Sequence, residues 1–480
     1  MKKPVKITLI SVGSLIGLVL LAAAVLVWVV LTPKRLTPIV NKAAASFVTC
    51  PTKIGSVELT FFSTFPKVSL RVDDVLLLNP MKGAPSDTLL RVERLDAAVN
   101  IRKLLKEDVL EVKSLHLKNG DALLYTDAEG RQNFDVLAPS DTLDTTASEF
   151  PFEWISAKKL NLEHLNVTYV DDASHLNLHL DDFNTRADAE LSEESFDGQL
   201  KADIGRIMFH LADSSRMDAA LGDVRLRLKG EMKENAADGV VQLTVPALTF
   251  AMDSLRYADS AALDIKIPVK YDMGQRMLQL DKAEVGLDNL LLTLDGSVQA
   301  EDTAFSAFDC AVDFALRTVE VPELLPWVER FAPGVLEGMR VDGFLTLDGT
   351  VKGVYADSLM PEVTANLLLK QGKFEDQELL PNPVKNIVLD ARALLDLNRQ
   401  SRSNVEVHNF AAETGKSKVQ LQGKITDLSD KLCCDLLLTG KVNLPDVEPF
   451  LPDSLPLTMR GTMQPNMKVK FNLDDLQQVA

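Results

Sequence analysis

Leu263-Asp264-Ile265-Lys266-Ile267-Pro268-Val269-Lys270-Tyr271 puts an apolar side chain at every second position. Period two is the signature of a β-strand, whose successive side chains leave opposite faces. The same alternation runs through Leu176-Asn177-Leu178-His179-Leu180-Asp181, Val224–Leu228 and Phe308–Leu316. It returns at Val68–Asp73, Val363–Leu369, Ile387–Leu397, Val419–Ile425 and Leu436–Leu444. Turn formers such as Lys118-Asn119-Gly120-Asp121 and Asp127-Ala128-Glu129-Gly130 separate the runs. The fold class is therefore mainly β. We expect an elongated, curled antiparallel β-sheet, groove- or taco-like, with few short helices.

Each such strand has one apolar face, which must meet a cover. Helices cannot supply it. Pro322–Gly338 (PELLPWVERFAPGVLEG) is the best amphipathic stretch after the N-terminus, and its prolines keep it short. Roughly twenty strands with three to five apolar side chains each far exceed the few hundred Å² that a soluble surface tolerates. Either the sheet folds on itself as sandwiches, or it curls into a trough lined by a ligand. Aromatic residues make up only 6% of the chain, so the lining is mostly aliphatic. That suits acyl chains and suits an ordinary core equally. The candidate lining residues are Leu176, Leu178, Leu180, Ile265, Ile267, Val269, Val312, Phe314 and Leu436.

The chain has 480 residues, 46% hydrophobic and 25% charged, an ordinary balance for a folded protein. Its net charge is −18, and none of its 69 acidic residues precedes Lys42. A body this acidic does not hold nucleic acid by neutralising phosphates. Four cysteines in this length are no disulfide framework. Lys2, Lys3 and Lys6 precede the uncharged apolar run Ile7–Leu31, whose 25 residues can span a bilayer with some tilt. Ala43-Ala44-Ala45 resembles a signal-peptidase site, but it lies beyond Lys34, Arg35 and Lys42, and the run is long for a signal peptide. We therefore expect an uncleaved anchor. The slight excess of basic charge before the span favours a cytoplasmic N-terminus and an acidic body outside the cytoplasm. The expected organisation is a tail at 1–6, a transmembrane helix at 7–31 and an amphipathic helix at 33–48. An N-terminal β region at 52–190, a middle groove at 191–298 and C-terminal groove repeats at 299–480 follow.

The search for chemistry finds no active site, so we expect no enzyme, cofactor or metal. His175 and His179 have the spacing of a helical metal pair, but on a strand four residues separate them by about 13 Å. Cys433 and Cys434 point to opposite faces, and no C-x-x-C occurs. Asp73-Asp74, Asp171-Asp172 and Asp181-Asp182 are neighbours on strands, which makes none of them an acid–base dyad. An internal repeat is visible instead. Leu294-Asp295-Gly296-Ser297-Val298 parallels Leu421-Gln422-Gly423-Lys424-Ile425, and Val319–Pro326 parallels Val442–Pro449. Gly343 and Lys352 parallel Gly461 and Lys470. Stacked repeats of this kind build elongated objects.

Three features resemble the AsmA-like family of bacterial envelope proteins. They are the anchor with its LTPKRLTPIVNKAAASF helix, the segment Phe61-Phe62-Ser63-Thr64-Phe65-Pro66-Lys67-Val68-Ser69-Leu70-Arg71-Val72-Asp73-Asp74-Val75, and the turn Asp127-Ala128-Glu129-Gly130-Arg131-Gln132-Asn133-Phe134. The motifs are structural, so the resemblance brings no catalytic residues. It implies an inner-membrane anchor and a periplasmic β-groove, similar in style to the chorein-type bridge proteins regarded as lipid conduits. The expected partners are phospholipid or another envelope lipid, the inner membrane and outer-membrane assembly proteins. At about 4.8 Å per strand, roughly twenty strands would give a groove of order 100 Å. The expected function is binding or conducting lipid between inner and outer membrane in support of outer-membrane biogenesis. The alternative is an assembly or scaffold factor that modulates outer-membrane protein insertion by strand pairing.

Overall fold

A computed structural model describes residues 37–38, 48–60, 68–99, 112–136, 159–191, 195–212, 215–331, 334–376, 380, 382–428, 432–446 and 458–472. Among them are 21 strands and one helix with described bounds. The anchor expected at 7–31 lies outside the described residues. Of the amphipathic helix expected at 33–48, Thr37 and Pro38 are described as helical. No helix among the described residues is long and apolar enough to cross a membrane. The chain divides into two compact units, 1–192 with 197–225 and 193–196 with 226–480.

In the first unit, β1 (Thr52–Thr60), β2 (Val68–Leu78), β3 (Thr88–Val99) and β4 (Val112–Thr126) pair antiparallel in chain order. β5 (Lys159–Asp171) then lies parallel to β4, and β6 (Leu176–Leu191) returns antiparallel to β5. The parallel pair departs from the all-antiparallel expectation. Its cause is the connection at 127–158, long enough to bring the chain back to the end where β4 began. The motif turn begins that connection. Buried Asp127 accepts backbone N–H bonds from Glu129 and Arg131 and a 2.6 Å bond from Arg131 Nε. Asn133, fully buried, accepts the Tyr125 N–H and donates to the Leu123 carbonyl. The apolar side of β1–β4 forms a true core. Val57 is 0% and Val92 1% exposed, packed with Leu70, Val72, Val75 and Ala97. β7 (Ser195–Ala212) and β8 (Arg216–Lys233) follow, and the division between units falls within β8.

The second unit is a meander. It comprises β9 (Ala236–Met252), β10 (Leu255–Asp272), β11 (Met277–Leu287), β12 (Leu290–Ala300) and β13 (Phe308–Glu320). Helix α1 (Val321–Phe331) precedes β14 (Met339–Tyr355), β15 (Glu362–Asp376), β16 (Val384–Leu395) and β17 (Asn404–Thr414). β18 (Ser417–Thr426), β19 (Cys433–Asn443), β20 (Thr462–Met463) and β21 (Asn466–Phe471) complete it. From β9 to β19 every strand pairs antiparallel with its chain neighbour, and β19 takes both β20 and β21.

α1 packs against β10, β13 and β14. β11 and β12 hold 11 residues each, against 18 in β10 and 17 in β14, so their hairpin stops short and leaves the helix room to reach β10. The helix ends at Phe331 rather than near residue 338. Pro333 has no N–H to continue it, and Gly334 takes a left-handed φ of 81°.

The sequence repeat has a structural counterpart. Gly296 on β12 and Gly423 on β18 hold φ of 140° and 149°, a conformation only glycine adopts readily. Gly296 faces Val312 across β13, and Gly423 faces Leu436 across β19. Val319 and Val442, equivalent in the repeat, are both buried. A helix follows the first and the 3₁₀ turn Leu444–Asp446 follows the second.

Candidate functional site

Residues opposite one another in an antiparallel ladder share a face. The register of the second unit therefore traces apolar rows across the strands. From β9 to β14 one row reads Leu243, Ile265, Val285, Leu292, Leu316 and Leu347. From β15 to β21 it continues Leu367, Ala391, Val407, Gly423, Leu436 and Val469. Twelve strands thus contribute no polar side chain to this row. Ile265 and Leu436, 171 positions apart in sequence, belong to it together. At about 4.8 Å per strand, the nine steps between them span roughly 43 Å along the sheet.

Two further rows lie beside it. Val269, Leu280, Gly296, Val312, Val351 and Val363 form one, which ends at Leu395. Between the two, Ile267 faces Val241 on β9, and Phe314 faces Leu294 and Gly349. A bulge at Lys282, with φ 50°, shifts the β10–β11 register there, so Ile267 has no direct partner on β11. All six lining candidates in this unit (Ile265, Ile267, Val269, Val312, Phe314 and Leu436) thus fall on one face in three adjacent rows. Leu176, Leu178 and Leu180 lie in the first unit on β6. There Leu178 faces Tyr169, and Leu180 faces Val167.

Burial separates this face from an ordinary core. Every one of the nine candidates is half-buried. Among the described residues of the second unit, no Leu, Ile, Phe, Met, Tyr or Trp is buried; its buried apolar side chains are those of Ala, Val, Cys and Pro465. The first unit, by contrast, buries Leu70, Leu89 and Leu165. The large aliphatic side chains of the second unit are left partly open. Sequence reading passed over Leu292, Leu347 and Leu367 as lining residues, although Leu345-Thr346-Leu347-Asp348 carries the same alternation.

The opposite face is charged and orders the register. One row there runs Asp348, Asn366, Arg392, Glu406, Lys424, Asp435 and Lys470, with sign alternating from Arg392 onward. Lys470 and Lys468 lie 2.7 and 3.1 Å from Asp435, and the hydrogen bond from Lys470 is foremost in holding that carboxyl below the usual carboxylate range. Opposite charges across a ladder favour this pairing over a slip of one residue, which would turn the apolar rows outward.

The polar residues raised as candidates do not assemble into a reaction centre. His175 sits in the turn before β6 at φ 54°, while His179 contacts Thr168 and Asp181. Among the described residues, no group of three or more His, Cys, Asp or Glu is placed to hold a metal. Cys310 and Cys434 face Val298 and Ile425, equivalent positions of the repeat, and burial pushes both thiols up.

The second unit is thus an antiparallel β-meander with a half-buried, largely aliphatic face and a charged opposite face. The model of the AsmA family matches residues 1–330, more than two thirds of the chain, and the protein belongs to that family. No curated protein and no solved structure gives a match.

Proposed function

We propose that this is a non-enzymatic, membrane-anchored envelope protein that binds lipid on the apolar face of its second unit. It would conduct that lipid between the inner and outer membrane, supporting outer-membrane biogenesis. One observation carries the reading: three aliphatic rows in which no large side chain is buried. Moving a tail through water costs about 0.8 kcal/mol per CH₂, or roughly 13 kcal/mol for sixteen carbons. A continuous apolar row removes most of that cost with no chemistry, while headgroups stay in water. Membership of the AsmA family agrees with an envelope role. The anchor at 7–31 would hold the chain in the inner membrane, N-terminus cytoplasmic and body periplasmic. No cofactor, metal or nucleic acid enters the scheme.

The test is photo-crosslinking in the full chain from Ile267 and from Asp264, which alternate on β10. Lipid adducts at Ile267 alone support the track; equal labelling at both, or at neither, counts against it. A second reading has its own observation. Among the described residues β21 pairs with β19 along one edge only, which leaves an edge for a client strand. In that case the chain acts as an assembly factor for outer-membrane proteins, and peptide rather than lipid co-purifies with it.

A further inference from the structure

Apolar side chains gather at one end of the three rows. Tyr355 closes β14, Leu359 and Met360 form the tip of the β14–β15 hairpin, and Leu395 and Leu397 lead out of β16. They are 48%, 46%, 42%, 37% and 55% exposed, in that order. Leu395 is the last member of the row that contains Val269 and Val312, so the rim is continuous with the apolar face. The loops that carry it are fixed. Asn398 donates to the Met360 carbonyl at 2.6 Å and accepts the Met360 N–H at 2.9 Å. Asp396, buried, accepts the Arg399 N–H, and its own N–H donates to Ser403 Oγ.

We propose that this rim docks on the surface of a phospholipid bilayer and is the portal through which acyl chains pass to the apolar face. The inference rests on the lipid-track reading and adds where lipid enters. Two observations choose the occupant. At roughly 200 Å² per large side chain, the five expose about 450 Å² together. A stable protein interface needs about 800 Å² a side, whereas protruding apolar tips suffice for insertion at a membrane. Charge supplies the second. Arg399 and Arg402 both reach the Asp396 carboxylate, at 3.3 and 3.4 Å, yet stay 67% and 51% exposed. Two guanidiniums on one buried carboxylate leave one of these two exposed positive charges uncompensated within that cluster, beside Leu397, where it can meet a headgroup phosphate on a rim that is neutral in sum, as a zwitterionic phosphatidylcholine surface is. The other charged groups nearby are exposed Asp357 and the cross-strand pair Lys352 and Glu362.

The experiment places benzoylphenylalanine at Leu397, Ile265 or Asn366 of the full chain, with phosphatidylcholine vesicles carrying an alkyne-tagged phosphatidylcholine. Lipid adducts are expected at Leu397 and Ile265 and not at Asn366 on the charged face. Combining Leu359→Ser with Leu397→Ser should slow labelling at Ile265 about tenfold, because two inserting side chains are lost. Unchanged thermal unfolding would show that the serine variant is folded. Labelling at Ile265 without labelling at Leu397, or at an unchanged rate in the serine variant, overturns the portal and leaves the track standing. No labelling at Ile265 removes the track and the portal with it. A crosslinked dimer of the chain at Leu397 makes the rim a contact between copies and refutes the lipid assignment.

Discussion

Replacing Gly296 or Gly423 by alanine tests how the meander of the second unit is held. A Cβ at Gly296 would strike the Ala311 carbonyl oxygen and lie 2.8 Å from Val312 Cα; at Gly423 it would strike the Asp435 carbonyl oxygen and lie 2.8 Å from Leu436 Cα. Ordinary van der Waals contact begins near 3.4 Å. The backbone conformation itself, at φ 140° and 149°, costs an L-residue about 1–3 kcal/mol. Relieving the clash opens the ladder to the next strand and weakens about two hydrogen bonds, near 1 kcal/mol each. Each substitution should therefore cost about 3–5 kcal/mol, and the two should agree within about 1 kcal/mol. Gly334 is the control. It has φ 81° but open space around the added Cβ, so alanine there should cost only about 1–2 kcal/mol. Urea unfolding followed by far-UV circular dichroism gives the energies, and hydrogen exchange over 290–320 and 417–443 gives the location. If the alanine variants at 296 and 423 cost no more than the one at 334, the close approach of β12 to β13 and of β18 to β19 is wrong.

Three further outcomes follow from the two units. Leu436→Ala, on the half-buried face, should cost about 1 kcal/mol, less than Val57→Ala at roughly 2 kcal/mol in the closed core, although leucine loses more atoms; the reverse order in urea unfolding would mean a dry interior in the second unit. Asn133→Ala removes the partner of the Tyr125 N–H and of the Leu123 carbonyl, both next to a fully buried side chain. It should cost about 2–4 kcal/mol, read as a lower urea midpoint. The Tyr125 hydroxyl donates to Asp172 Oδ2 at 2.5 Å, and that bond pushes its pKa up to about 12. The neutral phenol is the form the fold favours, so its contribution is complete below about pH 10, the unfolded value, and disappears as pH rises towards 12. Melting temperatures between pH 9 and 12.5 should therefore fall more for the wild type than for Tyr125→Phe; parallel curves would refute the bond.

Much of the fold could be read from the residues because one rule, alternation, acts locally. Leu263–Tyr271 and Phe308–Leu316 lie within β10 and β13. PELLPWVERF became α1, since Pro322 can sit in a first turn and the next residues keep an apolar stripe. Register was less accessible. That Ile265 and Leu436 share a row depends on nine consecutive pairings, and a single bulge such as the one at Lys282 resets the parity. The parallel pairing of β4 and β5 also escaped, because strand direction depends on where a long connection re-enters the sheet. The rim at Tyr355–Leu397 lay hidden for another reason: exposed leucines in loops look like any others until the Asn398 bonds draw two loops together.

Pairing each strand from β10 to β19 with its immediate predecessor has a mechanical corollary. Pulled from its C-terminal end, the second unit would peel one hairpin after another, each step breaking a single ladder at modest force rather than rupturing many at once. Insertion or deletion of whole hairpins would likewise change the count of rungs without rethreading the chain. A scaffold of this kind can be lengthened or trimmed by whole hairpins, and the twin Leu-x-Gly segments at 294 and 421 occupy equivalent places in two of them.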